Sequence, residues 1–260
     1  MSESGHRTAR IALVFLTGVS FFGLVLAGLL MVSPPVSRVD FAWRKPVVGS
    51  VFALICVLGS LAVVFPDVCS RGFGSGDGER RRGHVHFSLK RAASASVGDS
   101  AILRGHHPTC DVFSSHVFRF GGRVFCATCS GLFLGALLSL VGVVVYFFGG
   151  WFVGGDVLLV GLVGMLGVGF GLLQSLVVRV GWGFVRVLSG LLFVVGALFV
   201  LVAVDVLAHD FFLDVFLVLL TVLWLVTRIY LSQWEHTRMC SACGSESCVF
   251  GRQDEKNGGL

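Results

Sequence analysis

The chain has 260 residues, 55% of them hydrophobic and 13% charged, with a mean hydropathy of +0.89. A soluble domain carries about 25% charged residues, so this composition excludes a water-soluble globular protein and points to lipid. The net charge of +5 is concentrated in connecting segments, which is a signature of membrane orientation and not of nucleic-acid binding.

Residues 1–65 read as a two-helix membrane hairpin. Ile11–Val32 is uncharged and long enough to cross a bilayer. It exceeds the ~7–15 apolar residues of a secretory signal, and Ser33-Pro34-Pro35 is a poor cleavage site, so it is expected to stay in place. Val47–Phe65 is the second span, stopped by Pro66. Residues 66–105 are rich in Gly, Ser and Arg, including Arg80-Arg81-Arg82, and read as a disordered cytoplasmic loop. Anionic lipid headgroups are its natural partner if it lies on the surface.

Residues 106–231 read as the core membrane domain. Its spans are Val124–Phe148, Val157–Val178, Val187–Leu207 and Val215–Leu231. The turn holding Asp205, His209, Asp210 and Asp214 reads as a solvated acidic turn. Gly131-x3-Gly135 and Gly167-x3-Gly171 read as close helix packing. Residues 232–260 form a polar, Cys-rich tail.

The fold class is therefore an all-α polytopic bundle of six transmembrane helices. With six spans the termini share a side. That side would carry Arg7, Arg10, nine basic residues of the large loop, Arg179, Arg186 and four in or near the tail. The other side has Arg38, Arg44 and Lys45. The asymmetry predicts an N-in, C-in protein of a cell membrane. Both cysteine clusters then face the reducing cytosol, which disfavours disulfides and favours metal.

The first cluster is Cys126-Ala-Thr-Cys129, preceded by His106, His107 and Cys110, with His116 as a spare. Two thiolates at this spacing converge on one ion, and Cys110 with His106 or His107 would close a tetrahedral Zn2+ site. A redox-active thiol pair and unliganded thiols are the other readings. The second cluster, His236-x3-Cys240-x2-Cys243-x4-Cys248, has the residues for another Cys3His site, its small residues permitting a knuckle. One shared zinc site and two separate ones fit the spacing equally.

Gln174, Arg179, Arg186 and Ser189 gather around one basic turn. They read as second-sphere or anion-binding residues, or as arginines reaching to the membrane boundary. Gln174 lies inside the span, where its amide needs a partner. Ser130 has no identifiable base and reads as a packing or capping residue.

His106-His107-Pro108 with Cys110 and Phe113, followed by Val124-Phe125-Cys126-Ala127-Thr128-Cys129-Ser130-Gly131, resembles a family of prokaryotic multi-pass membrane proteins of unknown function. Gly171, Gln174, Arg179, Arg186, Ser189 and Gly190 echo that family's second element. Thr128 stands where the family carries Arg, and Phe170 where it carries Asp. The resemblance spans roughly Gly105–Phe199 and implies a fold and a site, but no activity.

Three functions follow as expectations. The favoured one is a non-enzymatic scaffold, sensor or docking protein organised by structural zinc, with a protein partner or a second copy of the chain as its counterpart. The runner-up is a transporter or channel for a metal ion or small solute, weakened by the scarcity of carboxylate, His or Lys at mid-membrane positions of the spans. The third is a membrane thiol oxidoreductase using Cys126 and Cys129.

Overall fold

A computed structural model of the chain describes residues 3–34, 39–64, 117–120, 123–151, 155–177 and 183–243. Six helices are long and apolar enough to cross a membrane. They are α1 (Glu3–Val32), α2 (Arg44–Val64), α3 (Ala127–Val143), α4 (Val157–Val177), α5 (Gly183–Ala208) and α6 (Phe211–Cys243). A π-helical turn, Val144–Phe148, extends α3. Among the described residues the one non-helical element is an antiparallel ribbon of β1 (Val117–Phe120) and β2 (Arg123–Cys126), which feeds directly into α3.

Helix α5 is the axis. It packs against α3, α4, α6 and α1, while α2 lies on α3 and its π turn. Its neighbours can approach because glycines line both seams. A Cβ on Gly131 would sit 2.2 Å from the Val187 carbonyl oxygen, and one on Gly196 would sit 2.6 Å from that of Gly164. No real Cβ makes such contacts, so α3 and α4 each meet α5 backbone to backbone. Lipid tails offer no hydrophobic drive for helix association, so this close van der Waals contact holds the bundle together. The small-residue packing expected of Gly131 and Gly135 is thus borne out.

Helix α1 is tied to α6 by polar contacts that need no water. Trp224 Nε1 donates to the Ser20 carbonyl at 3.0 Å, and the Ser20 and Thr227 hydroxyls meet at 2.8 Å.

The α5–α6 turn corrects the sequence reading. Asp205, Asp210 and Asp214, expected in solvent, are buried, and Asp205 and Asp214 are 0% exposed. Both carboxylates converge on Nη1 of Arg44 at the start of α2, at 2.6 Å for Asp205 and 2.5 Å for Asp214. Arg44 Nε donates to Asp40 at 2.9 Å. Lys45 lies 3.6 Å from Asp205 and stands over the Tyr146 ring. The Tyr146 hydroxyl donates to Asp205, reached from the π turn. Asp210 caps α6, accepting from the backbone N–H of Phe212 at 2.9 Å and of Val39 at 3.0 Å. The reversal is tight because His209 adopts a left-handed φ of 52°. Sequence reading stopped each helix where hydropathy fell, but charged residues continue the helices when their partners arrive from elsewhere in the chain.

The remaining shifts are at helix ends. Glu3–Arg10 and Ser232–Cys243 are helical, beyond the expected apolar limits, and Val124–Cys126 is strand instead of the start of a span.

Gly131→Ala is expected to cost about 2–3 kcal/mol, because the methyl has backbone and no flexible side chain in its way. Gly18→Ala, where nothing lies within 4 Å, is the control and should be neutral or slightly stabilising. Thermal unfolding in detergent compares the two.

Candidate metal centre at the thiol pole

The starts of α1, α3 and α5 and the ends of α2, α4 and α6 share one end of the bundle, the thiol pole. Here the β ribbon delivers Cys126 to the N-terminus of α3. Cys126 has the extended backbone of an N-cap (φ −72°, ψ 121°), and Cys129 falls in the first helical turn. Neither cysteine is in a disulfide. The two cysteines lie within hydrogen-bonding reach of each other. The S–H of Cys129 donates to the Cys126 sulfur, as do the backbone N–H groups of Cys129 and Thr128. These bonds, with the nearby Arg186 guanidinium, outweigh burial and pull the Cys126 thiol down to about 6. A thiolate is the form that ligates metal or attacks an electrophile. Ser130 donates to the Cys126 carbonyl at 2.9 Å, the packing role expected of it.

The ribbon also fixes where the upstream chain enters. Val117 pairs with Cys126, so β1 begins opposite the first thiol residue. Antiparallel partners have Cα atoms about 4.5–5.5 Å apart. Cys110, His107 and His106 precede that point by a few residues.

A polar network lies beside the thiols. Arg186, read from sequence as a boundary arginine, is 5% exposed and grips Glu235 of α6 with two bonds, at 3.0 and 3.2 Å. Gln174 and Ser189 meet as the span position of Gln174 required: the Ser189 hydroxyl contacts Gln174 Oε1 and lies 3.0 Å from the Arg186 carbonyl. Arg228 of α6 completes the group, donating to the Gly171 carbonyl and, at 3.3 Å, to Ser189. Its guanidinium stands over Phe193, 5.0 Å from the ring centroid.

Of the expected site residues, the structure brings together Cys126 with Cys129, and Gln174 with Ser189 and Arg186. His236, Cys240 and Cys243 belong to the continuous helix α6 and not to a knuckle, because no Gly or Pro interrupts the run until Gly244. His106, His107, Cys110, Arg179 and Cys248 lie outside the described residues. Among the described residues no three His, Cys, Asp or Glu side chains form a ready-made metal cage. Arg228 and Glu235 were missed. A lone arginine within an apolar run was a visible signal, since ionisable groups there seldom lack a role.

No family model matches the chain, and neither a curated protein nor a solved structure does.

In metal-free protein, alkylation of Cys126 is expected to reach half its maximal rate near pH 6. Cys129→Ala removes the largest cause of the depression and should move that midpoint up toward the ordinary 9.0. The depressed thiol contributes stability that is complete above the ordinary value and is lost as pH falls through about 6. Peptide mass spectrometry after timed iodoacetamide treatment reads the profile at Cys126 alone.

Proposed function

We propose that this chain is a multi-pass protein of a prokaryotic cell membrane, with both termini and the thiol pole in the cytoplasm. That pole holds structural Zn2+ on Cys126 and Cys129, and the upstream run His106, His107 and Cys110 closes the site. His236, Cys240, Cys243 and Cys248 supply a second set of ligands or share the first ion. The job is that of a scaffold, sensor or docking protein and not of an enzyme. The resemblance of residues 105–199 to membrane proteins of unknown function agrees with this and assigns no reaction.

The observation that carries the reading is the register Val117↔Cys126 in front of a helix whose first turn bears the second thiol. A two-stranded ribbon this short is not stable by itself. A metal ion bridging the helix start and the chain entering β1 would hold it. A thiol already lowered to about 6 also gives up its proton to Zn2+ at little cost near neutral pH.

A second reading, passage of an ion or small solute, gains from the fold. Carboxylates do lie inside the spans, as Asp205 and Asp214. A cavity of about 410 Å³ lined by Asp40, Phe41, Ala42, Arg44, Lys45 and His209 adjoins them.

Metal analysis of purified full-length protein tests the primary reading. The wild type should carry at least about one zinc per chain, and Cys126→Ser should lose about one equivalent together with thermal stability. Zinc-free wild type with unchanged stability would defeat it. Ion or solute flux in proteoliposomes, abolished by Asp214→Asn while zinc is retained, would favour the second reading instead.

A further inference from the structure

We infer that the thiol pole contains an anion site for a phosphoryl group, built by Arg186 and Arg228 between the end of α4, the start of α5 and α6. It is independent of the zinc reading, since it uses neither thiol.

The case begins with unmatched donors. Arg228 is 2% exposed, and among the described residues no carboxylate lies within ion-pairing distance of it. Its two terminal nitrogens are taken by neutral acceptors, the Gly171 carbonyl and Ser189. Its Nε–H is buried and has no acceptor. The Nε–H of Arg186 is in the same condition, although that guanidinium's other edge is held by Glu235. The two arginines belong to one locus, because Ser189, which Arg228 touches, lies three residues beyond Arg186, about 4.5 Å along α5. Two guanidinium groups face one carboxylate among these residues, Glu235, which already holds the far edge of Arg186.

A buried guanidinium with no carboxylate in direct contact is costly, and each unmade buried hydrogen bond adds to that. The N-terminus of α5, one turn from Arg186, adds its own positive field. An anion with several acceptor oxygens answers all three demands at once. Phosphate is the group whose oxygens suit guanidinium N–H donors, and arginine is the residue that binds it by geometry as well as charge. The level of Arg186, at the start of a membrane-crossing helix, is where a phospholipid headgroup meets the protein. A free phosphate has the same chemistry.

Why two arginines and not lysines? Both use one guanidinium edge to fix their position within the protein and keep Nε–H for a further acceptor. A lysine could do one or the other.

The test uses full-length protein in nanodiscs of three kinds: phosphatidylcholine alone, phosphatidylcholine with phosphatidylglycerol, and phosphatidylcholine alone with added inorganic phosphate. Native mass spectrometry counts what each chain retains on release. Retention of phosphatidylglycerol by the wild type, weakened about tenfold in Arg186→Lys and in Arg228→Lys, establishes a headgroup site. Retention of inorganic phosphate with the same sensitivity establishes a free-phosphate site. The lysine variants keep the charge and remove the guanidinium donors, and circular dichroism confirms that they fold. Should either fail to fold, the wild type decides: retaining neither probe overturns the inference. So does retention that the folded lysine variants leave unchanged.

Discussion

Charge compensation inside a low-dielectric bundle is the constraint on which this fold depends. Arg44, Asp205 and Asp214 come from three helices, all are buried, and they meet at a single guanidinium nitrogen. None could remain ionised in hydrocarbon alone. Their meeting places the start of α2 against the ends of α5 and α6, and Tyr146 and Lys45 close around it. The segment joining α1 to α2 is fastened to the same turn, since Phe211 N–H donates to the Val39 carbonyl at 3.0 Å. The triad also accounts for the exception in the basic-residue count. Arg44 and Lys45 are not free surface charges; both face carboxylates, so they exert little of the bias that unpaired lysines and arginines would.

The opposite pole is built on a different balance. Glycine seams draw α3 and α4 onto α5, and this brings the N-terminus of α3, with its two thiols, beside Arg186. The positive ends of α3 and α5 and the two arginines gather there against a single carboxylate among the described residues, Glu235. The Arg186 charge helps keep Cys126 as a thiolate.

Much of this was legible in the sequence, for physical reasons. A bilayer demands long apolar runs, so all six spans could be read from hydropathy. Gly131, Gly135 and Cys126-x2-Cys129 are local patterns whose meaning depends on neighbours only a turn away. Gln174 announced a missing partner, and Ser189 proved to be that partner. What could not be read was pairing over long separations. Asp214 and Arg44 are 170 residues apart, and each looked like an ordinary flanking charge at the end of its own span. The same holds for Arg186 and Glu235, 49 residues apart, where the glutamate was assigned to a tail that is in fact helix. Hydropathy marks the limits of a lone helix in lipid. It fails wherever another helix brings the opposite charge.

Thermal unfolding of Arg44→Met, compared with the triple substitution Arg44→Met, Asp205→Asn, Asp214→Asn, measures that compensation most directly. Removing the arginine alone strands two buried carboxylates and is expected to cost about 3–5 kcal/mol, while neutralising all three together should restore most of the loss. A triple variant that unfolds at or below the temperature of Arg44→Met would contradict the claim that matched charge is what holds α2 to the bundle.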